Sequence, residues 1–286
     1  MGKQTMTQSL LDDSIIADLY RRSTRHGALR LSGQGRLPRD TLNEWLSQDR
    51  LYAQAYARFI GGLVSRVRLP QEVGAEGLSG SLEWRILCLL QKSLAGIMRE
   101  LQFFEETAAT YGLNLETEGQ GESRFGPNAT TKAYIGLFDS FTATARSDSP
   151  RSLFEGLVVL WTTEQAYVES WAYAKAQQQK QKQSSDSNDT NTGSSDAAGT
   201  TGTTTGHAGD LDGGALRDKL IPNWTSPEFH AFVREIRECL DEYEQRLTGE
   251  ENADARFATA AAMMKKVLVL EEGFWPVTAD DDGDED

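Results

Sequence analysis

The sequence predicts an all-α protein, a single multi-helix bundle. Three observations carry this. The seven prolines, Pro38, Pro70, Pro127, Pro150, Pro222, Pro227 and Pro276, all fall between periodic segments or at their first turn. Proline removes a backbone donor and clashes inside a helix, so this placement is what helices joined by short turns require. The segments between them are rich in Leu, Ala, Glu, Gln, Arg and Lys, which form helices readily. No stretch alternates apolar and polar residues at period two, so no sheet is expected.

The elements follow in order. A first helix is predicted from Ser9 to His26, and a second from Asp40 to Val67, with Pro38 in the turn before it. A third covers Ser81 to Tyr111, a fourth Thr130 to Arg146 and a fifth Ser152 to Ala176. The sixth opens on Ser226 as N-cap with Pro227 at the first helical position, and runs to Leu247 before Gly249. The seventh spans Glu251 to Glu272. From Gln177 to Gly214 the chain turns to Gln and Lys, then to Ser, Thr, Asn, Asp and Gly, and reads as a disordered loop. Only two helices follow it, too few for a core of their own. The segment is therefore expected as an insertion within one domain of residues 9–276, whose closure entropy grows only slowly with length.

The 286 residues carry 29 basic and 43 acidic side chains, a net charge of −14. Nucleic acid and anionic membranes need a basic surface, so neither is an expected partner. Residues 277–286 read as an acidic disordered tail, with six acids between Asp280 and Asp286. The polar start, the absence of an apolar run long enough to span a membrane, and two isolated cysteines, Cys88 and Cys239, suggest a cytoplasmic chain with reduced thiols.

Three acids do not fit their surroundings. Trp45, Tyr52, Tyr56, Phe59 and Leu63 recur at helical spacing, and Asp49 falls on the same stripe. A carboxylate on a core-facing stripe is costly unless partnered; an arginine from another helix or a cavity ligand would serve equally. Glu164, Tyr167 and Trp171 share one face of the fifth helix. Glu271 follows the apolar run Val267 to Leu270 at a helix C-terminus, where an acid opposes the macrodipole. Carboxylates and rings on inward faces of three helices suit a flat, polar, partly cationic small molecule, and such carboxylates can serve as general acid or base.

Beyond these residues the sequence resembles the TenA/thiaminase II family of haem-oxygenase-like fold. The blocks that carry the resemblance are Gly35-Arg36-Leu37-Pro38 and Trp45-Leu46-Ser47-Gln48-Asp49-Arg50-Leu51-Tyr52, then Trp224-Thr225-Ser226-Pro227-Glu228-Phe229 with Leu240-Asp241. Phe257 and Glu271-Glu272-Gly273-Phe274-Trp275 close the pattern. The resemblance implies thiamin-pyrimidine salvage, the hydrolysis of an aminomethyl-pyrimidine or of thiamin to the hydroxymethyl-pyrimidine. It implies that Asp49 binds the ring's amino group and ring nitrogen, and that Tyr52 and Phe274 border the ring. Tyr134, Tyr167 and Trp224 complete the pocket, and Glu271 handles the leaving amine or the water. Where the thiaminase branch carries a catalytic cysteine four residues before a tyrosine, this chain has Thr163 before Tyr167, with Glu164 adjacent. It therefore resembles the branch with a glutamate in that role, associated with aminopyrimidine hydrolysis, in which Glu271 or Glu164 activates water. No cofactor or metal is expected. A homodimer or homotetramer is implied. The alternative is a non-catalytic binding protein that keeps the pocket for a vitamin-like or other small ligand. A haem or di-iron enzyme on the same fold is disfavoured, because His26, His207 and His230 form no Glu-x-x-His repeat.

Overall fold

The computed structural model describes residues 4–72, 74–75, 77–116, 125–142, 151–189, 206–247 and 253–278, and for 184–189 the backbone alone. Among them there is no strand. The helices are α1 (Met6–Asp12), α2 (Ser14–Thr24), α3 (Gly27–Gly33), α4 (Arg39–Val64), α5 (Leu82–Tyr111), α6 (Ala129–Asp139) and α7 (Leu153–Asp189). A π-helical turn, Leu216–Leu220, then leads into α8 (Ile221–Trp224), followed by α9 (Pro227–Arg246) and α10 (Ala253–Glu272).

The first expected helix, Ser9 to His26, is two, α1 and α2, and a third, α3, follows directly where none is predicted. Asp13 ends α1 and caps α2, its carboxylate accepting from the N–H groups of Ile15 and Ile16. Just past the end of α2 the His26 ring accepts from Ala28 N–H and starts α3. A side-chain oxygen or ring nitrogen that satisfies free helix donors outcompetes continuation of the ladder. At the predicted N-cap Ser226 sequence and structure agree, and Ser81 and Gly112 bound α5 where its ends are expected. Ser226 accepts from Phe229 N–H with Pro227 following, Ser81 accepts from Trp84 N–H, and Gly112 ends α5 at φ 64°, a left-handed value only glycine adopts without strain. Each such cap contributes about 1 kcal/mol.

The reading of Gln177–Gly214 as disordered does not hold at either end. α7 continues from Ala176 to Asp189, because Gln and Lys are good helix formers even when nothing apolar accompanies them. Beyond the gap, residues 206–214 are tied down by side chains. Asp212 accepts from the N–H groups of Gly214 and Leu216, Asp210 pairs with Arg217, and His207 Nδ1 lies 2.5 Å from Asp218 Oδ1. Residues 190–205 and the acidic residues 279–286 lie outside the described residues. The fourth expected helix also stops early, at Asp139; residues 143–150 lie outside the described set.

The packing sets up a central space. α4 lies between α5 and α6; α7 packs on α3, α9 and α10; α10 covers α2; and α5 meets α9. Helices before and after the long segment therefore share one core. α3 approaches α7 so closely that a Cβ on Gly33 would lie 2.0 Å from the Ala174 carbonyl oxygen. Trp45, Leu46, Phe59, Leu89, Phe104, Phe138, Leu157, Trp161, Leu240 and Met264 are all buried. Each large apolar side chain removed from water contributes about 1.5–3 kcal/mol before entropy is counted. No described helix is long and apolar enough to cross a membrane.

Several motif residues turn out to hold the frame. Gln48 accepts from Asn128 N–H and donates to Gly126 C=O, fixing the start of α6. Asp241 accepts from Thr7 N–H at 3.0 Å and Thr7 Oγ1–H at 2.7 Å, pinning α1 to α9. Trp275 donates its indole N–H to Ser23 C=O at 2.9 Å and stacks on Trp45.

Candidate functional site

Between α4, α5, α7 and α9 lie two adjoining chambers. The outer one, of about 460 Å³, is lined by Gly96, Ile97, Glu100 and Phe103 of α5, Glu164, Trp224, and Phe229 and Phe232 of α9. Exposed Lys92, Arg99 and Glu228 also line it, so it opens to the surface there. The inner one, of about 40 Å³, is lined by Asp49, Tyr52 and Ala53 of α4, Thr163, Glu164 and Tyr167 of α7, and residues shared with the outer chamber. Those shared residues are Tyr56, Ile97, Glu100, Glu164 and Phe229.

Helix geometry explains the convergence. Asp49, Tyr52 and Tyr56 are spaced i, i+3, i+7 on α4, and Glu164 and Tyr167 are i, i+3 on α7. On α5, Ser93, Ile97 and Glu100 follow the same rule. Each carboxylate has a single side-chain donor from a ring. The Tyr167 hydroxyl donates to Asp49 Oδ2 at 2.9 Å, and the Tyr56 hydroxyl to Glu164 Oε1 at 2.5 Å. The Trp224 indole N–H donates to Glu100 Oε1, and the Tyr134 hydroxyl to Glu271 Oε1. No lysine or arginine pairs with any of the four among the described residues.

Burial without a cation raises these acids. Burial drives Glu164 up to about 8, against the Tyr56 hydrogen bond, with the charges of Glu100 and Glu271 adding to it. Burial alone takes Glu271 and Glu100 each to about 7, opposed by Tyr134 and Trp224 respectively. Asp49 lies well above the usual carboxylate range, again through burial and then Glu100. Glu100 and Glu164 are only half-buried, since they face the chambers, so their shifts are fullest when a ligand displaces water.

Of the residues singled out from sequence, Asp49, Tyr52, Glu164 and Tyr167 line the inner chamber, and Glu164 and Trp224 the outer one. Tyr134, Glu271 and Phe274 do not reach either wall. They stand one ring behind it, with Tyr52 in front: the Tyr52 ring centroid is 4.9 Å from Tyr134 and 5.5 Å from Phe274. Glu100 and Tyr56 are the polar residues shared by both walls that sequence reasoning did not single out as site residues. The signal for Glu100 was available, because it lies three after Ile97 and four before Phe104 on a buried stripe.

Thr163 occupies the position where the resemblance would put a nucleophilic cysteine. It lines the inner chamber, and its hydroxyl donates to the Val159 and Leu160 carbonyls. Neither cysteine lines a chamber; burial pushes the Cys239 thiol up to about 11. Among the described residues no three His, Cys, Asp or Glu side chains gather as metal ligands would. His26 is a helix cap, and His207 belongs to the ordered Asp218 pair rather than to a disordered loop.

No known family profile matches the chain. A protein of Fusarium pseudograminearum described as a probable transcription factor is 29% identical over 259 residues, 87% of this chain and 48% of that protein. A Glycine max protein described as a probable bifunctional TENA-E protein is 24% identical over 156 residues, 54% of this chain and 58% of that one. The chain thus spans about half the length of the curated relatives it matches. Among solved structures, a TenA homologue from Pyrococcus furiosus superposes with a TM-score of 0.63 at 18% identity, covering 94% of this chain and 98% of that one. The chain has the all-α fold of the TenA homologues.

Proposed function

We propose that this chain hydrolyses the C–N bond of an aminomethyl-pyrimidine, as in thiamin-pyrimidine salvage, with water activated by a carboxylate. The observation that carries the reading is Glu164. It is a raised, half-buried carboxylate held by one phenol, at the junction of the small inner chamber and the larger aromatic-lined outer one. The fold shared with TenA homologues and the likeness to a probable TENA-E protein support the substrate class.

In this reading Asp49, steadied by Tyr167, takes the amino group and ring nitrogen of the pyrimidine. Glu164 accepts a proton from water, whose oxygen adds to the exocyclic methylene carbon as the C–N bond breaks. The inner chamber, about 40 Å³, is too small for a six-membered ring, which occupies a cavity of about 150 Å³. Binding therefore opens it into the outer chamber by displacing Tyr56 or Phe229 from their shared boundary. Trp224 borders the ring's path. Tyr134 and Phe274 back Tyr52, and Glu271 acts through Tyr134. Thr163 offers no thiolate, so the water attacks directly. We further propose that the reaction uses no cofactor, and that the chain works in the cytoplasm as a homodimer or homotetramer.

The purified chain should convert an aminomethyl-pyrimidine to the hydroxymethyl-pyrimidine and ammonia, followed by mass spectrometry. No product at any pH from 6 to 9 sinks the proposal. The name of the Fusarium relative favours one other reading, a ligand-sensing module of a larger protein. Calorimetric binding of the pyrimidine without turnover would select it.

A further inference from the structure

Releasing an amine needs two proton transfers, because the nitrogen leaves poorly without a proton just as water attacks poorly with one. The reading above supplies one group, Glu164. Resting on that reading, we infer that Glu100 is the second: a catalytic general acid that protonates the departing amine in the outer chamber while Glu164 deprotonates water.

The assignment comes from position. Five residues line both chambers, and Glu100 and Glu164 are the two carboxylates among them. Asp49 lines the inner chamber alone, and Glu271 lies behind Tyr52. Glu100 is also oriented. One oxygen accepts the Trp224 indole N–H, and Trp224 is itself clamped against Trp171 at 4.5 Å between ring centroids. The other oxygen has no partner among the described residues and is left for the chamber. Of about 460 Å³, the outer chamber has room for the leaving group, between the rings of Trp224, Phe103, Phe229 and Phe232.

The surroundings poise both carboxyls near neutrality, where each can give or take a proton. Glu100 lies at about 7 and Glu164 at about 8, each raised chiefly by burial, with the charges of Glu100 and Glu271 raising Glu164 further. Lys92 at the rim is engaged by Glu235, and Arg99 lines the mouth rather than the junction. Two neighbouring carboxyls raised in this way exchange a proton near neutral pH, and the reactive form is the one with the proton on Glu100 and Glu164 ionised. The step balances. Water gives a proton to Glu164 and its oxygen bonds to the methylene carbon. The C–N electron pair leaves on nitrogen, which takes the Glu100 proton and departs as neutral amine. Proton transfer from Glu164 back to Glu100 restores the pair.

The test compares leaving groups. Glu100→Gln should lower kcat on an aminomethyl-pyrimidine at least ~100-fold. On a pyrimidinylmethyl-pyridinium, whose leaving group departs as neutral pyridine and needs no proton, it should stay within about threefold of the unmodified chain. Glu100→Asp, which keeps an acid there, should show the same asymmetry to a smaller degree and serves if the glutamine variant does not fold. Equal losses on both substrates, or none in either variant, overturn the assignment to Glu100 while leaving the hydrolase reading intact. If the unmodified chain cleaves neither compound, the hydrolase reading fails and takes this assignment with it.

Discussion

The molecule buries carboxylates in two opposite ways, one at its structural seams and one around the chambers. At the α1–α9 seam, Asp241 accepts both the N–H and the hydroxyl of Thr7, with Arg237 3.9 Å away. Asp212 likewise receives two backbone N–H groups. Around the chambers, Asp49, Glu100, Glu164 and Glu271 each accept from one ring donor and have no cation. The first arrangement stabilises the fold. The second leaves charge under-compensated, a condition that costs stability and creates groups able to carry protons near neutral pH.

Substitutions should separate the two. Glu164→Gln is expected to abolish turnover, by ~10³-fold or more, without lowering Tm; loss of the fold instead would place Glu164 with Asp241. Asp49→Asn should lower kcat/KM by roughly 100-fold, chiefly through KM, as read from initial rates, because it removes the proposed hold on the ring. Asp241→Ala should do the reverse. It leaves Thr7 without its buried partner and costs about 2–3 kcal/mol in denaturant unfolding, with turnover per folded molecule unchanged. Kinetic damage from Asp241→Ala would break the comparison.

The smallest effect sharpens it by pH. An acid whose pKa is raised on folding, as Glu271 is from 4.5 to about 7, favours the fold while protonated. Its stabilising contribution is complete below about pH 4.5 and is lost as pH rises through about 7. Tm should therefore fall between pH 5 and pH 8. Glu271→Gln, which accepts from Tyr134 without a charge, should recover on the order of 2 kcal/mol at pH 8 and almost nothing at pH 5. An equal gain at both pH values would show that ionisation is not the cause.

How much of this is legible in sequence varies by physical cause. Asp49 and Glu164 stand out because a helix repeats every 3.6 residues, which turns a polar residue on an apolar stripe into a visible misfit. Glu100 obeys the same rule beside Ile97 and Phe104, but α5 carries none of the resemblance motifs found on α4, α7 and α10. The cap at Asp13 is hidden, since an Asp inside a periodic segment reads equally well as a surface residue. Residues 177–189 mislead in the other direction, because low hydrophobicity suggests disorder while Gln and Lys favour helix. That Glu271 and Phe274 sit behind the wall rather than on it depends on where the Tyr52 ring lies, a tertiary fact without a local signature.

The Trp224–Glu100 contact has an optical side. Trp45, Trp171, Trp224 and Trp275 form one array of touching indoles, and of these Trp224 lines the outer chamber with a carboxylate on its N–H. An indole so placed changes its emission when that carboxyl gains or loses a proton, and the array spreads the change across several chromophores. Tryptophan fluorescence and near-ultraviolet dichroism should therefore change when a ligand enters the outer chamber, with no label attached.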